Sequence, residues 1–354
     1  MENQTQQNKN KTYKFNPKPE FEARMNEILK LSNSDENNEN YEKDKEEFWR
    51  IVHTEPINSI RVNTLKITPN ELKKKLEARG WKIIQPFNNK NHPEILIIEN
   101  NLLPGELGRS KEHLLGYYYV QEISSMLPII ALSPSENDSF IDLCASPVSK
   151  TTQSASLMKN QGNIIANDNK IGRLAILASN LEKCGVSNTI LTKRDGVQLC
   201  KKLKAMNFNV DKILVDAPCS GEGTLRSSPK TYLMWNEKMI NVFSKQQKSL
   251  AYSALDLLKE GGEMIYSTCT HSPEENEEVV QFLLDNFNIE IEEIKPLLPI
   301  KARPGLTNWK GKKFSKEINK CARIYPQDNN KEGFFVCKIK KLSNKASEGE
   351  KDDI

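Results

Sequence analysis

Residues 213–224 read ILVDAPCSGEGT, and residues 264–276 read MIYSTCTHSPEEN. Each stretch begins with a short apolar run that predicts a buried strand and continues into residues typical of turns and helix starts. A cysteine follows each run, Cys219 in the first and Cys269 in the second. Because ligands of an open α/β sheet bind outside the carboxyl ends of its strands, both thiols should face one crevice. Two thiols beside the carboxylate of Asp216 favour covalent chemistry over a packing role.

The composition limits the class of protein. A length of 354 residues allows one or two domains, and a net charge of +4 means that any basic patch must be local. The seven cysteines are scattered without a C-x-x-C pair, which favours reduced thiols over a disulfide framework or a zinc site. No apolar stretch approaches the ~20 residues of a membrane span, and no signal-peptide core is present. We therefore expect a cytoplasmic protein without a membrane partner or a metal ion, and we assume a monomer.

The chain divides into four predicted parts. Residues 1–15 are polar and expected to be disordered, and residues 342–354 form a charged tail. Residues 16–115 predict a small α+β domain. Its elements are a helix over 20–31, a helix beginning near Tyr41, strands at 59–66, 81–84 and 95–98, and a helix capped by Thr68 or Asn70.

Residues 116–341 form the fourth part, in which strands and helices alternate. After an apolar helix at 120–132, strands are expected at 139–143, 163–167, 188–192, 211–216, 262–267 and 333–340. Helices are expected at 149–160, 170–184, 196–206, 238–259 and 274–286. This alternation predicts an α/β fold with a mostly parallel, doubly wound sheet. The run at 333–340 follows a turn signal and is expected to be a hairpin-like edge strand.

Three strand ends predict a nucleotide-type cofactor site. After the first strand, residues 142–153 read DLCASPVSKTTQ, which predicts a loop that opens a helix and presents backbone N–H groups to a ligand. Asp168 ends the next strand, where a carboxylate typically holds ribose hydroxyls, and Asp195 follows the third strand. Each aspartate taken singly could equally cap the following helix. Their repetition favours an adenosine-containing cofactor.

The motifs together resemble those of the Sun-type (Fmu/Sun) RNA cytosine-C5 methyltransferases, from about residue 61 to residue 338. The most specific matches are DAPCSGEGT at 216–224 and STCTHSPEENE at 267–277. Supporting matches are RVNTLK at 61–66, YYVQEISSMLP at 118–128, CASPVSKTTQ at 144–153, ANDNKIGRL at 166–174 and GFFVCKIKK at 333–341. The resemblance implies a Rossmann-like methyltransferase domain over 116–341 that uses S-adenosyl-L-methionine. It also implies RNA as partner, tRNA rather than rRNA, docked with the help of residues 16–115.

The resemblance also implies a role for individual residues. Cys269 would be the nucleophile that adds to carbon 6 of cytosine and so activates carbon 5. Cys219 would be the thiol that assists release of the product. The base would have to leave any stack to reach them. Asp216 and Lys150 would lie at the reaction centre. The implied cofactor contacts are Cys144, Ala145, Ser146, Pro147, Val148, Ser149, Lys150, Asp168, Arg173, Asp195 and Asp216.

Two positions depart from the family pattern. Val148 stands where the family usually has glycine, and a β-branched residue is a poor choice for a turn that needs positive φ. We expect weaker cofactor binding from it rather than lost activity. Gln327 stands where the family often has histidine, and no strong consequence is expected.

Several alternatives stay open on the sequence alone. The chain could be a catalytically weak or silent RNA-binding or ribosome-assembly factor, which Val148 favours, or a DNA cytosine methyltransferase with Cys219 as nucleophile. Trp235 and Trp309 could stack on bases or pack in the core. A basic cluster could be a solvated face or contact phosphates; it comprises Lys310, Lys312, Lys313, Lys316, Lys320 and Arg323. Cys184, Cys200, Cys321 and Cys337 are expected to be small buried side chains, and His271 to shape its turn.

Overall fold

The structure is a computed structural model that describes residues 17–33, 38–87, 91–100 and 102–343. The segment 1–15, predicted to be disordered, lies outside these residues, as does the charged tail from residue 344 onwards. Within the described residues, no helix is long and apolar enough to cross a membrane.

The first part of the chain forms five helices and a four-stranded antiparallel sheet of order β2-β3-β1-β4. The strands are β1 (Ser59–Val62), β2 (Ile83–Ile84), β3 (Ile95–Ile98) and β4 (Tyr118–Val120). The helices are α1 (Pro19–Ser32), α2 (Asn38–Val52), α3 (Pro69–Glu77), α4 (Glu106–Arg109) and α5 (Lys111–Leu114). Of the two predicted caps of α3, the structure selects Thr68, whose side chain accepts from the backbone N–H of Glu71.

The second part forms a nine-stranded sheet in which β5 to β9 are parallel. The path runs β11-β14-β15-β9-β8-β5-β6-β7, and β10 also pairs with β15. The central strands are β5 (Ser139–Asp142), β6 (Asn163–Asn167), β7 (Thr189–Thr192), β8 (Lys212–Asp216) and β9 (Glu263–Thr268). The remaining strands of this sheet are β10 (Asn288–Glu292), β11 (Arg303–Pro304), β14 (Ala322–Ile324) and β15 (Phe334–Ser343). Strands β12 (Asn308–Trp309) and β13 (Lys312–Lys313) form a separate two-stranded hairpin.

Helices cover this sheet and leave two apolar cores, one on each face. They are α6 (Leu127–Leu132), α7 (Ser149–Leu157), α8 (Ile171–Cys184), α9 (Gly196–Ala205), α10 (Thr231–Met234), α11 (Glu237–Leu257), α12 (Glu277–Asn286) and α13 (Pro326–Asn329). The predicted alternation of strands and helices is therefore observed. Each parallel strand delivers its carboxyl end to the same edge of the sheet.

Two predicted elements are wrong in detail. The run at 333–340 is not an edge strand, because β15 pairs with β9 on one side and with β14 and β10 on the other. Its residues 334–337 are all buried, as expected of an interior strand with both faces covered. The predicted helix at 120–132 is an α-helix only from Leu127, after a 3-10 turn at Ser124–Met126. Residues 118–120 instead pair with β1, and Pro128 suits only the first turn of a helix.

Helices α1 and α2 share an apolar core with residues from beyond position 220. Phe21 contacts Tyr232 and Trp235 edge to face, with ring centroids 5.5 and 5.2 Å apart. Trp235 and Trp309 are both buried in this core, so the packing alternative holds for the two tryptophans. Cys184, Cys200, Cys321 and Cys337 are buried as expected.

Candidate active site

The two thiols meet at the carboxyl ends of adjacent strands. Strands β8 and β9 are parallel, with Asp216 opposite Ser267, so the loops that follow them leave the sheet side by side. The sulfur atoms of Cys219 and Cys269 lie 3.2 Å apart, and both residues are partly exposed. The structure therefore brings together the two cysteines that the sequence singled out.

The Cys219 thiol is held in its protonated form. Its hydrogen bond with the Cys269 sulfur, its burial and the nearby Glu275 carboxylate raise the pKa of Cys219 well above its ordinary value. A thiol with a raised pKa stays protonated at neutral pH, so it is a poor attacking nucleophile. Either sulfur can be the donor of the hydrogen bond between the two thiols.

Asp216 lies in a chain of polar side chains beside the thiols. One carboxylate oxygen is 2.7 Å from the ammonium nitrogen of Lys150, and the other accepts a 2.8 Å hydrogen bond from Ser267. Lys150 also donates to the hydroxyl of Ser125 at 3.0 Å. Both oxygens of the carboxylate thus have a partner that fixes their orientation.

Two glycines let the two thiol loops touch. The backbone N–H of Gly223 donates to the carbonyl oxygen of Cys269 at 2.8 Å, and the N–H of Gly333 donates to Gly223 at 2.8 Å. A Cβ at position 223 would lie 2.3 Å from the carbonyl oxygen of Gly333 and 2.9 Å from that of Cys269. Only glycine permits this approach of three backbone segments.

Buried carboxylates join the loops behind the thiols. Glu222, in the loop after Cys219, accepts from the hydroxyls of Thr270 at 3.1 Å and Ser272 at 2.8 Å, both in the loop after Cys269. In return, Glu275 accepts from the backbone N–H of Ser220 at 3.0 Å. Each loop therefore places a carboxylate on donors of the other.

The carboxylate of Glu275 has a raised pKa. Burial, and next the charge of Glu222, raise the pKa of Glu275 to about 7. A third carboxylate, Glu277, forms a fully buried ion pair with Arg323, with nitrogen–oxygen distances of 2.6 Å. Arg323 also donates to the carbonyl oxygen of His271 at 3.0 Å and so holds the turn after Cys269.

His271 packs within this turn and does not face a ligand. Its ring stacks on Tyr325 at 4.9 Å, and burial lowers its pKa to about 3, so the imidazole is neutral. The expected turn-shaping role agrees with this placement.

A cleft of about 40 Å³ lies beside the thiols at the ends of β5, β6 and β7. Its lining residues are Leu143, Cys144, Asn167, Asp168, Asn169, Arg173, Arg194, Asp195, Gly196, Pro218, Gln246 and Leu250. The predicted positions Cys144, Asp168, Arg173 and Asp195 are thus brought together. Ala145, Ser146, Pro147, Val148 and Ser149 form the adjoining turn, and Lys150 and Asp216 lie toward the thiols.

The aspartates of the cleft keep capacity for a ligand. Asp168 accepts from the backbone N–H of Lys170 at 2.9 Å and lies 3.4 Å from the guanidinium of Arg173. Asp195 is exposed and caps α9 by accepting from Gln198 at 3.1 Å. One contact to the following helix leaves most acceptor positions of each carboxylate unused.

Other polar groups that line or adjoin the cleft also fit a ligand with hydroxyl and amino groups. The hydroxyl of Ser146 is buried without a hydrogen-bond partner among the described residues, beside the cleft residue Arg173, which donates to the Ser146 carbonyl oxygen. Burial raises the pKa of the Cys144 thiol, which therefore lines the cleft as a neutral group. The residues present thus fit an adenosine-type cofactor.

Val148 adopts the left-handed conformation that the loop requires. Its φ is +98°, in the region that favours glycine, and its side chain is fully buried in a cluster with Leu174, Leu177 and Leu181. The N-terminal sheet supports the same loop, since Arg61 donates to the carbonyl oxygen of Ser149 at 3.0 Å. The valine therefore strains the turn while it anchors the turn on α8.

The comparisons with known proteins agree with this geometry. The family described as 16S rRNA methyltransferase RsmB/F matches residues 129–340. This chain belongs to the RsmB/F methyltransferase family. The predicted family is thereby confirmed.

Named relatives of this family act on different RNAs. The tRNA (cytosine(49)-C(5))-methyltransferase of Pyrococcus abyssi is 39% identical over 298 residues, which are 84% of this chain and 92% of the relative. The ribosomal RNA small subunit methyltransferase F of Vibrio campbellii is 39% identical over 289 residues. These are 80% of this chain but only 57% of that relative.

Solved structures of this family share the fold. A methyltransferase homologue from Pyrococcus horikoshii superposes with a TM-score of 0.73 at 32% identity, covering 90% of this chain and 99% of that one. NSun6 from the same organism, solved with SFG, gives a TM-score of 0.70 at 25% identity, covering 86% and 96%. The Rossmann-like α/β fold is therefore confirmed.

Sequence reasoning missed the residues that hold the thiol loops. Glu222, Gly223, Ser267 and Glu275 all lie within the two quoted motifs, but they received no role. Their position beside each cysteine was the available signal. Asn167 was also missed, although its side chain joins three strand ends through Leu143 and Arg194.

Proposed function

We propose that this chain transfers a methyl group from S-adenosyl-L-methionine to carbon 5 of cytosine in RNA through a transient bond between Cys269 and carbon 6 of the base. The observation that carries the proposal is the pair of sulfurs 3.2 Å apart beside the Lys150–Asp216 ion pair. The names of the P. abyssi relative and of other family members, which specify cytosine C5 in RNA, support it.

The first step is addition of the Cys269 thiolate to carbon 6. The sulfur lone pair forms the new bond and the ring electrons move toward carbon 5, which becomes nucleophilic. S-adenosyl-L-methionine, when bound, supplies the electrophilic methyl group. Lys150 is a buried cation 2.7 Å from Asp216 and brings a positive charge to the same end of the sheet.

The last step removes the proton from carbon 5. The C–H electron pair restores the ring double bond while the bond from carbon 6 to sulfur breaks and returns its electrons to Cys269. Once Cys269 is bound to the base as a thioether, its charge no longer raises the pKa of Cys219. Cys219, which is partly exposed, can then release its own proton to solvent, and the resulting thiolate accepts the proton from carbon 5.

Asp216 positions the base in this scheme. Lys150 and Ser267 hold its two oxygens, so that the carboxylate can accept hydrogen bonds from the edge of the cytosine ring and stabilise charge on it. A base in contact with Asp216 and both sulfurs cannot stay stacked, so the target is flipped or single-stranded.

The cofactor would lie in the cleft next to the thiols. Asp168 would hold the ribose hydroxyls and Asp195 the adenine amine, while the loop from Cys144 to Lys150 would contact the remainder. Arg173 would keep the loop in place through the Ser146 carbonyl oxygen. Two observations support these roles: the unused acceptor positions of Asp168 and Asp195, and the buried Ser146 hydroxyl without a hydrogen-bond partner among the described residues.

The proposed substrate is tRNA rather than rRNA. This chain spans 92% of the P. abyssi tRNA methyltransferase but 57% of the V. campbellii rRNA methyltransferase, so it matches the tRNA enzyme over its length. Residues 16–115 would help dock the RNA, since their sheet lies directly against the loop at Ser149.

The rival functions have less support. A silent RNA-binding factor rested on Val148, and the loop keeps its left-handed turn with valine in place. A DNA methyltransferase with Cys219 as nucleophile is disfavoured, because the raised pKa of Cys219 keeps that thiol protonated.

Transfer of tritium from labelled S-adenosyl-L-methionine to unmodified RNA tests the proposal. Cys269→Ala should lower the rate more than about 1,000-fold, whereas Cys219→Ala should accumulate a covalent RNA adduct visible as a gel shift. Cys200→Ala, at a buried cysteine outside both thiol loops, should retain activity. Activity that survives Cys269→Ala, or Cys219→Ala that turns over normally without an adduct, would contradict the scheme.

A further inference from the structure

A second cavity of about 340 Å³ lies outside the site described above. It is enclosed by α1, the first half of α11, the turn that leads into α12, and the β12–β13 hairpin. Its charged lining residues are Arg24, Lys245, Lys248, Lys310, Lys312, Glu237, Glu274 and Glu278. The cavity therefore has five cationic and three anionic side chains.

The carboxylates do not neutralise all of these cations. Glu274 pairs with Arg24 and Glu237 with Lys310, the latter at 3.4 Å. Glu278 is shared, 2.8 Å from Lys312 and 3.8 Å from Lys248.

Lys245 is exposed, and its ammonium group has no partner among the residues that the structure describes. The cavity thus keeps an excess of two positive charges, one of them on a free lysine.

Three of the five cationic lining residues lie outside the basic cluster predicted from the sequence. Of the predicted basic cluster, only Lys310 and Lys312 line the cavity. Arg323 is buried against Glu277, and Lys320 pairs with Glu317 at 2.6 Å. The tertiary structure instead adds Lys245 and Lys248 from α11, more than 60 residues earlier in the chain.

The cavity adjoins the thiols through shared contacts. Ser244 of α11 donates to the carbonyl oxygen of Glu274 at 2.6 Å, in the turn that follows Cys269. Three residues later on the same helix, Gln247 donates to the carbonyl oxygen of Pro218 at 2.9 Å, next to Cys219. One face of α11 therefore contacts the cavity while the neighbouring face contacts a thiol loop.

We propose that this cavity binds a backbone phosphate of the RNA substrate close to the cytosine that enters the thiol site. The inference rests on the proposed function for the identity of the substrate. Lysine ammonium groups bind phosphate as point charges without reading base sequence, so this contact would add affinity and position rather than specificity. A backbone phosphodiester carries one negative charge, so the excess of two positive charges among the lining residues is sufficient to neutralise it.

Equilibrium binding to bulk unmodified tRNA, measured over a range of salt concentrations, tests the proposal. The double variant Lys245→Ala, Lys248→Ala should weaken binding about three- to tenfold at low salt and reduce the slope of log K against log salt by about 0.7 to 0.9. Lys201→Ala is the matched control, an exposed helical lysine that does not line the cavity. Equal Kd and slope in the double variant and this control would overturn the proposal.

A second variant predicts the opposite change. Glu278→Gln removes the carboxylate that neutralises Lys312 and Lys248, so RNA should bind about two- to fivefold tighter. Weaker or unchanged binding would count against a phosphate in the cavity. If the lysines affect competition by inorganic phosphate but leave RNA affinity intact, the cavity takes a free anion and the RNA proposal fails.

These binding readouts do not depend on catalysis. Lysine-dependent binding without methyl transfer would refute the proposed function alone. Methyl transfer with lysine-independent binding would refute the phosphate contact alone.

Discussion

The loops after β8 and β9, which carry the thiols, are joined by buried carboxylates, whereas the two aspartates of the cofactor cleft make no hydrogen bond to another loop. Glu222, Glu275 and Glu277 each accept at least two hydrogen bonds from residues of other loops or strands. Asp168 and Asp195 each accept one backbone N–H from their own helix start.

The thiol loops and the cofactor cleft differ in their hydrogen bonding because they have different functions. A nucleophile must be held to a fraction of an ångström before the substrate arrives, so its loops complete their hydrogen bonds within the protein. A cofactor brings donors and acceptors of its own, so the cleft keeps acceptors free for it. The thiol side is therefore preorganised, and the cofactor side is completed by its ligand.

The largest effect on stability is expected from the ion pair behind the thiols. Arg323→Ala leaves Glu277 as a buried, unpaired charge and should lower the free energy of unfolding by about 3–5 kcal/mol in urea titration. Lys320→Ala, which breaks the partly exposed pair with Glu317, should cost less than about 1 kcal/mol. Equal losses of unfolding free energy in the two variants would show that the buried Arg323–Glu277 pair contributes no more to stability than the partly exposed Lys320–Glu317 pair.

The pH dependence of stability tests the second buried carboxylate. Because the pKa of Glu275 is about 7 in the folded protein and about 4.3 when unfolded, the folded state alone keeps the proton between these values. The contribution of Glu275 to the free energy of unfolding of the wild-type protein therefore falls as pH rises from about 4 to about 7. Glu275→Gln cannot ionise and should gain up to about 3 kcal/mol relative to wild type between pH 5 and pH 8. A difference that stays constant over this range would contradict the assignment.

A steric variant separates the two sides of the site. Gly223→Ala places a Cβ against two carbonyl oxygens, so the Cys269 loop must shift, at a cost of about 1–3 kcal/mol. We expect kcat to fall at least about tenfold, because the sulfur moves, while calorimetry shows cofactor Kd unchanged within about twofold. Gly108→Ala, where nothing lies within 4 Å of the added Cβ, is the control. Loss of cofactor binding in Gly223→Ala would mean that the two sides are mechanically coupled.

The smallest effect is expected on the cofactor side. Val148→Gly removes the strain of a valine in the left-handed conformation, which should stabilise the fold by about 1–2 kcal/mol. It also removes a buried side chain, which should destabilise the fold by about 1.5–3 kcal/mol. The net loss of stability should be about 1 kcal/mol, with cofactor affinity about two- to fivefold higher as the turn relaxes. Ser149→Gly, at the adjacent position, serves as the comparison. Weaker cofactor binding in Val148→Gly would show that the valine supports the cradle.

The central strands were predictable because their signals are local. Strands β5 to β9 lie within one or two residues of their predicted bounds, since apolar runs followed by Asp, Gly or Pro mark a buried strand and its end. The short strands β11 to β14 escaped prediction because a run of two or three residues is too short to show a periodicity. The interior position of β15 also escaped, since its neighbours β10 and β14 come from separate segments.

The sequence by itself determined the order of strands, the two cysteines that follow adjacent strands, and the aspartates at the strand ends, because each of these depends on neighbouring residues. Only the tertiary structure decided that the sulfurs lie 3.2 Å apart, that Lys150 reaches Asp216, and that lysines of α11 join those of the β12–β13 hairpin. These contacts join residues 50 or more positions apart, and packing of the whole sheet has to bring them together before any of them can form.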